Sequence, residues 1–284
     1  MLRTRTKRIL FKIVSTLLNL LIAVFVFFLL WIPAKIFLSD IFPVYTSSMT
    51  PSIQPGDKIM VNKLIFGSRI YKNLHNLRQP RIETYRLKGF RGVAYNDVVA
   101  FNHAFFETKF NIGRIYVKRC IGMSGDTISI VNGIYRNSSI KSDIFRINYG
   151  IPTNEEFANA QVMEGTDVPW TIINFGPLYI PGKGESIMLN REIATIYARY
   201  IVYESGQKLE ISGEQILLGG KPLVSYTFEE NYYFMAGEDF VNSQDSRYFG
   251  LVPESFIIGI ASRILFSKDF HSGKINWGRI WKKL

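Results

Sequence analysis

The chain is poor in the residues on which much enzyme chemistry depends. Its 284 residues include one cysteine, Cys120, and three widely spaced histidines, His75, His103 and His271. A lone cysteine forms no intramolecular disulfide and no thiolate metal cluster. The histidines fall in no HExxH or HxH spacing, so no metal site is expected. The sequence contains no P-loop, GxGxxG fingerprint or GxSxG elbow. Those gaps remove the usual nucleotide sites and the histidine-assisted serine hydrolase pattern. No cofactor is expected, and any catalysis must proceed without histidine.

Acidic residues are missing from both ends. Residues 1–12 carry Arg3, Arg5, Lys7, Arg8 and Lys12, and residues 271–284 carry Lys274, Arg279, Lys282 and Lys283. Of the formal net charge of +11, that leaves only +2 for residues 13–270. A near-neutral body offers no phosphate-neutralising face, so no nucleic-acid partner is expected. Hydrophobic residues make up 47% of the chain, ample for a core and too many for a disordered one.

Charge is absent altogether from Ile13 to Ala34. As a helix this stretch spans roughly 33 Å, matching a bilayer core of about 30 Å. Trp31 near its far end suits the interface. A cleavable signal peptide has a shorter apolar region and small residues two apart before its cut site. Here Ile32 stands two positions before Ala34, so a retained single-pass anchor in the lipid bilayer is expected. Five basic residues before the span and Lys35 alone close behind it place the N-terminus in the cytoplasm and the body outside.

Beyond the anchor the pattern turns to short strands: KIMVNK (58–63), DVVAF (97–101) and RIYVKRCI (114–121). TISIV and IYR flank Asn132-Gly133, a tight hairpin signal, and ILLGGKPLV (216–224) repeats the device at Gly219-Gly220. A helix is expected after Asn190, with Ile193, Ile196, Tyr197, Tyr200 and Ile201 on one face and Gly206 beyond its end. The division is therefore 1–12 as a cytoplasmic basic segment, 13–34 as a transmembrane helix and 35–284 as an extracytoplasmic, mainly β domain. Residues 137–230 form its less patterned insertion.

Two segments draw attention for chemistry. VYTSSMTPSIQPGDKIMVNK (44–63) begins as a hydroxyl-rich turn and ends as a strand. In RIYVKRCIGMSGD (114–126), alternation puts Tyr116, Lys118 and Cys120 on one strand face and Ile115, Val117 and Arg119 on the other. A lysine set among such residues is either buried or an edge lysine reaching water.

Four segments together resemble the type I signal peptidases, membrane-anchored proteases with a Ser–Lys dyad. They are TSSMTPSIQPGDKIMVNKLIFG (46–67), NDVVAF (96–101), YVKRCIGMSGD (116–126) and GEDFVNSQDSRYFGLVP (237–253), in the family's order. The resemblance implies a coiled antiparallel β-sheet body with an inserted α+β subdomain, in the bacterial cytoplasmic membrane. It implies Ser48 as nucleophile, Lys118 as general base, and the Thr46 hydroxyl with the Ser48 amide as oxyanion hole. Ser243 would orient the lysine, Asp245 and Arg247 would form a structural ion pair, and Arg119 would pair with Glu238. Phe42, Val44, Met49, Ile53, Tyr116 and Val117 align with positions lining the substrate pockets. The implied substrates are signal peptides of exported preproteins, cut after small residues at −1 and −3.

The sequence also departs from that family. Glu238-Asp239-Phe240 replaces an aspartate-asparagine-arginine run, and Ser124 replaces a proline. Phe240 lacks the donors of an arginine. A non-cleaving membrane protein that binds peptides is the rival reading, discriminated by covalent labelling of Ser48. In the tail, Trp277, Ile280 and Trp281 fall at helical spacing beside basic residues, as an interfacial foot or a packed tail helix would. The oligomeric state is open.

Overall fold

The computed structural model describes residues 2–72, 84–102, 114–141, 154–163, 168–270 and 272–284, with the single positions 145, 147, 152 and 166 between them. The three histidines lie outside the described residues. Helix α1 (Leu2–Phe37) opens the chain, and its part from Phe11 to Phe37 is long and apolar enough to cross a membrane. Leu17, Leu21, Phe25, Leu30 and Trp31 are all exposed, a surface that fits membrane anchoring. The carbonyls that the helix end leaves unsatisfied find donors in the body. Lys63 Nζ donates to the Lys35 carbonyl at 2.7 Å, and the Ser68 hydroxyl donates to that of Phe37.

The body is mainly β, with few helices, and its principal sheet is curled and antiparallel. Among the body's strands are β1 (Ser39–Pro43), β2 (Asp57–Asn62), β3 (Val98–Asn102), β4 (Ile115–Gly122), β5 (Thr127–Val131), β6 (Ile134–Asn137), β7 (Phe175–Tyr179), β8 (Tyr232–Ala236), β9 (Val252–Pro253) and β10 (Ile257–Ser267). Seven of them form one sheet in the order β1-β2-β10-β3-β4-β8-β9. The long β10 pairs with both β2 and β3 and shifts register along the way. Such bulges bend and twist a strand, which is how one sheet curls towards a barrel. Met49, Ile53, Ile59, Val61, Val98, Ala100 and Ile264 fill one apolar cluster.

A second sheet, β6-β5-β7, hangs on the Asn132-Gly133 turn, whose two positive φ angles (50° and 78°) suit a tight hairpin. Helix α2 (Arg191–Ser205) starts where Asn190 accepts the Ile193 amide and stops at left-handed Gly206. Its buried residues Ile196, Tyr197, Tyr200 and Ile201 join a cluster running from Ile121 through Phe175 and Phe228 to Phe234 and Phe240. Residues from the stretch 137–230 thus share a continuous core with strands β4 and β8.

The tail is not the helix that its spacing suggests. Only Trp277–Arg279 make a single 3-10 turn, and Trp281, Lys282 and Leu284 hydrogen-bond along β10 through Ile264 and Ser262. Beyond Ile260, β10 no longer pairs with β3, so an open strand edge competes for the tail's backbone and wins. Trp277 and Trp281 stay exposed.

Gly56 turns the chain into β2 at φ +93°, and a Cβ there would lie 1.9 Å from the Lys268 carbonyl oxygen. Gly56→Ala is therefore expected to destabilise the body by roughly 2–3 kcal/mol. An unchanged thermal midpoint in detergent would contradict the packing described.

Candidate active site

The loop between β1 and β2 is built from tight turns. Thr50 donates its amide to the Ser47 carbonyl and Ile53 to that of Met49, both at 2.8 Å. Met49 and Ile53 anchor the loop in the core, so Ser48 is buried at its inner bend. Strand β4 reaches the same point from the sheet and carries Lys118, which is 4% exposed. Lys118 Nζ donates to Ser48 Oγ at 2.5 Å.

No carboxylate contacts Lys118 among the described residues. Burial drives its pKa down from 10.5 to about 8. The more distant charge of Asp245 opposes that fall, and Arg247 adds to it. An amine in this state is neutral in a substantial fraction near pH 7.5 and able to accept a proton.

Around the pair lies a cavity of about 360 Å³ lined by Val44, Thr46, Ser48, Met49, Ile53, Tyr116, Val117 and Lys118, among others. Thr46 faces this space, and its hydroxyl makes no hydrogen bond among the described residues. Phe42 lies elsewhere, in an adjoining cavity with Ile115. It stands two residues before Val44 on the same strand face, about 7 Å further along, which carries it past the pocket.

The Ser243 hydroxyl is buried and makes no hydrogen bond among the described residues, while Lys118 donates to Ser48. The Ser243 side chain lies against Gly237, where a Cβ would meet Oγ at 2.0 Å and the Ser48 carbonyl oxygen at 2.7 Å. Only glycine fits between these two serines.

Two buried ion pairs frame the site. Asp245 and Arg247 are fully buried, bonded through Nε and Nη2 at 2.9 Å each. Burial alone would raise the Asp245 pKa, but Arg247 and the Gly237 amide hold it below the ordinary carboxylate value. The Arg247 guanidinium also lies 4.2 Å from the centre of the Phe240 ring. Phe240, which departs from the related motif, thus supplies a cation–π partner to the buried charge. Arg119 pairs with Glu238, both buried, and also donates to the Asn96 carbonyl. Glu238 uses its second oxygen to accept the Ser52 amide at 3.2 Å, linking the pair to the loop that carries Ser48.

Sequence reading missed a further clamp. Arg279 donates to both Asp57 oxygens, at 3.2 and 2.6 Å, and to the Ser52 carbonyl at 2.8 Å. Asp57 in turn accepts the Gln54 amide at 2.9 Å. Asp57 stands in a recognisable Pro-Gly-Asp turn, but nothing near Arg279 signals a contact more than two hundred residues away. Asn242 and Gln244, also unflagged, line the cavity from the segment before Asp245.

The free edges of two strands meet at this cavity. Strand β1 is terminal in the sheet, and β8 pairs only with Arg119–Gly122 of β4. The first half of β4 therefore turns its second edge to the space that Pro43 and Val44 border from the other side. Such an open strand edge is able to pair with an extended peptide.

A family model described as signal peptidase, peptidase S26, matches residues 17–266. Signal peptidase I of Buchnera aphidicola subsp. Schizaphis graminum is 27% identical over 258 residues, covering 85% of this chain and 72% of that protein. Signal peptidase I of Aquifex aeolicus is 23% identical over 249 residues, covering 84% and 78% respectively. That of Helicobacter pylori is 23% identical over 244 residues, covering 81% and 76%.

Breaking the Arg119–Glu238 pair strands a buried guanidinium. Glu238→Gln is expected to destabilise the folded body by about 3–5 kcal/mol. A denaturation midpoint equal to that of the unaltered protein would show that the pair is not buried as described.

Proposed function

The chain belongs to the peptidase S26 family of signal peptidases, hydrolases that remove signal peptides, and from that premise we propose that Ser48 and Lys118 perform the cleavage. The observation that carries this reading is the 2.5 Å contact between a buried lysine and a buried serine at the floor of a peptide-sized slot. Neutral Lys118 takes the Ser48 proton as Oγ attacks the scissile carbonyl. The resulting oxyanion is held by the Thr46 hydroxyl and the Ser48 amide. The protonated lysine then gives its proton to the departing amine, leaving an acyl-enzyme on Ser48. Water attacks that ester with Lys118 again as base, releasing the carboxylate and regenerating serine.

The same reading gives Ser243 a positioning role, in which its unpartnered hydroxyl turns to Lys118 once Nζ has lost Ser48. Met49, Ile53, Val44, Tyr116 and Val117 crowd the slot, so small side chains at −1 and −3 are favoured by room alone. Each excess methylene is disfavoured by roughly 1–3 kcal/mol. The N-terminus is cytoplasmic and the body lies outside the bacterial cytoplasmic membrane, as the basic residues before the apolar span favour. Anchored there, enzyme and substrate share the plane of the bilayer, which raises their effective concentration.

The test is cleavage of a preprotein with Ala-x-Ala before its cut site, by purified protein in detergent, with N-terminal sequencing of the product. Ser48→Ala and Lys118→Met are expected to abolish cleavage, and activity remaining in Ser48→Ala would overturn the assignment. Thr46→Val is expected to lower kcat by about a hundredfold with little change in KM; an unchanged kcat would remove Thr46 from the oxyanion hole. Since the neutral amine is the active form, kcat/KM should rise with pH through a midpoint near 8. A midpoint above 10 would mean that burial does not tune this lysine.

A further inference from the structure

Next to the slot, and sharing Ile115 with it, lies a second cavity of about 200 Å³. Its character is different. Lys63, Arg69, Asn102, Tyr71 and Asp40 line it together with Phe42. Lys63 lies 3.5 Å from Asp40, which also pairs with Lys35 at 3.7 Å. No carboxylate pairs with Arg69 among the described residues; its guanidinium donates to the Ser255 carbonyl and to the side-chain oxygens of Tyr71 and Asn102. Among the described residues, two cations thus face one carboxylate, and the balance of charge they give the cavity is positive. Burial also lowers the pKa of Lys63, only partly offset by Asp40, so its ammonium gains from any new electron-rich neighbour.

The position of this cavity matters as much as its charge. Lys118 and Ile115 are three residues apart on β4, or about 10 Å. A substrate strand with its scissile bond at Ser48 therefore passes Ile115 at about the fourth residue upstream. Its N-terminal side must run towards the membrane, and the cavity lies at that end: Lys63 touches the last turn of α1 through the Lys35 carbonyl. The apolar helix of a signal peptide ends some residues before its cut site, and a helix end exposes carbonyl oxygens carrying partial negative charge.

Resting on the peptidase reading above, we propose that Lys63 and Arg69 form a second, cationic subsite for the substrate segment about five to seven residues upstream of the scissile bond. The subsite takes electron-rich oxygen, whether the last carbonyls of the apolar helix or an acidic side chain placed there. Residues at −1 and −3 are then read by size in the slot, and the helix end is read by charge in the second cavity.

The experiment uses the full-length protein in detergent and preproteins identical except for Glu, Gln or Lys at −6. The ratio of kcat/KM for Glu over Lys is the readout, expected on the order of tenfold in favour of Glu. Lys63→Gln should flatten that ratio severalfold. Asp40→Asn, which unmasks the Lys63 charge, should steepen it. A merely structural role for the pair would move both variants in the same direction, or leave the ratio alone while lowering all rates. Equal ratios in all three proteins would overturn the subsite while leaving the dyad standing. Failure to cleave any of the three substrates would overturn the peptidase reading and the subsite with it.

Discussion

A lysine ammonium kept out of water is the constraint on which the rest of this structure turns. Lys118 is buried with a serine hydroxyl as its hydrogen-bond partner and, among the described residues, no carboxylate in contact. The descent of its pKa from 10.5 to about 8 corresponds to about 3 kcal/mol of disfavoured charge. Folding has to supply that energy, and the surroundings show where it is held. Strand β4 enters from the middle of the sheet, the Ser48 loop is pinned by Met49 and Ile53, and Gly237 lets the segment after β8 press against both. Remove water from such a corner and a poor base becomes an effective one.

The two buried ion pairs are best understood as the frame for that corner. Each charge is met by its opposite at contact distance, which is what makes burying it tolerable, although Arg119 Nε and Arg247 Nη1 make no hydrogen bond among the described residues. Arg119 and Glu238 join β4 to the Ser48 loop through the Ser52 amide. Asp245 and Arg247 hold the segment that carries Ser243 and place one charge of each sign near Lys118. Arg279 adds a third fastening from the far end of the chain. Phe240 shows how the frame absorbs a change of sequence. Its ring lies over Arg247 and packs edge-on against Tyr135, so an apolar residue replaces donors without leaving a hole.

Much of this could be read from the sequence because it is local. Strands β2, β3 and β4, the Asn132-Gly133 hairpin and helix α2 with its Asn190 cap each announce themselves within a dozen residues. The motifs around Ser48, Lys118 and Asp245 did the same for the site. What stayed hidden depends on where remote segments meet. The spacing of Trp277, Ile280 and Trp281 is helical, but an unpaired edge of β10 claims the backbone. Phe42 shares a face with Val44 yet falls one step outside the slot. Arg279 looks like any basic tail residue until the fold sets it beside Asp57. The core within 137–230 draws on Val162, Trp170 and Phe228, scattered over irregular backbone that leaves no periodic trace.

The most direct test of the account is the titration of Lys118 itself, without substrate. Protein labelled with carbon-13 at the lysine Cε positions would be followed by NMR across the alkaline range in detergent, with Lys118→Met identifying the resonance. The account predicts that the Lys118 resonance titrates near 8, well below the ordinary lysine value of 10.5. A Lys118 resonance that titrates with the others would mean that the amine is solvated and charged at neutral pH. The buried dyad could not then work as described.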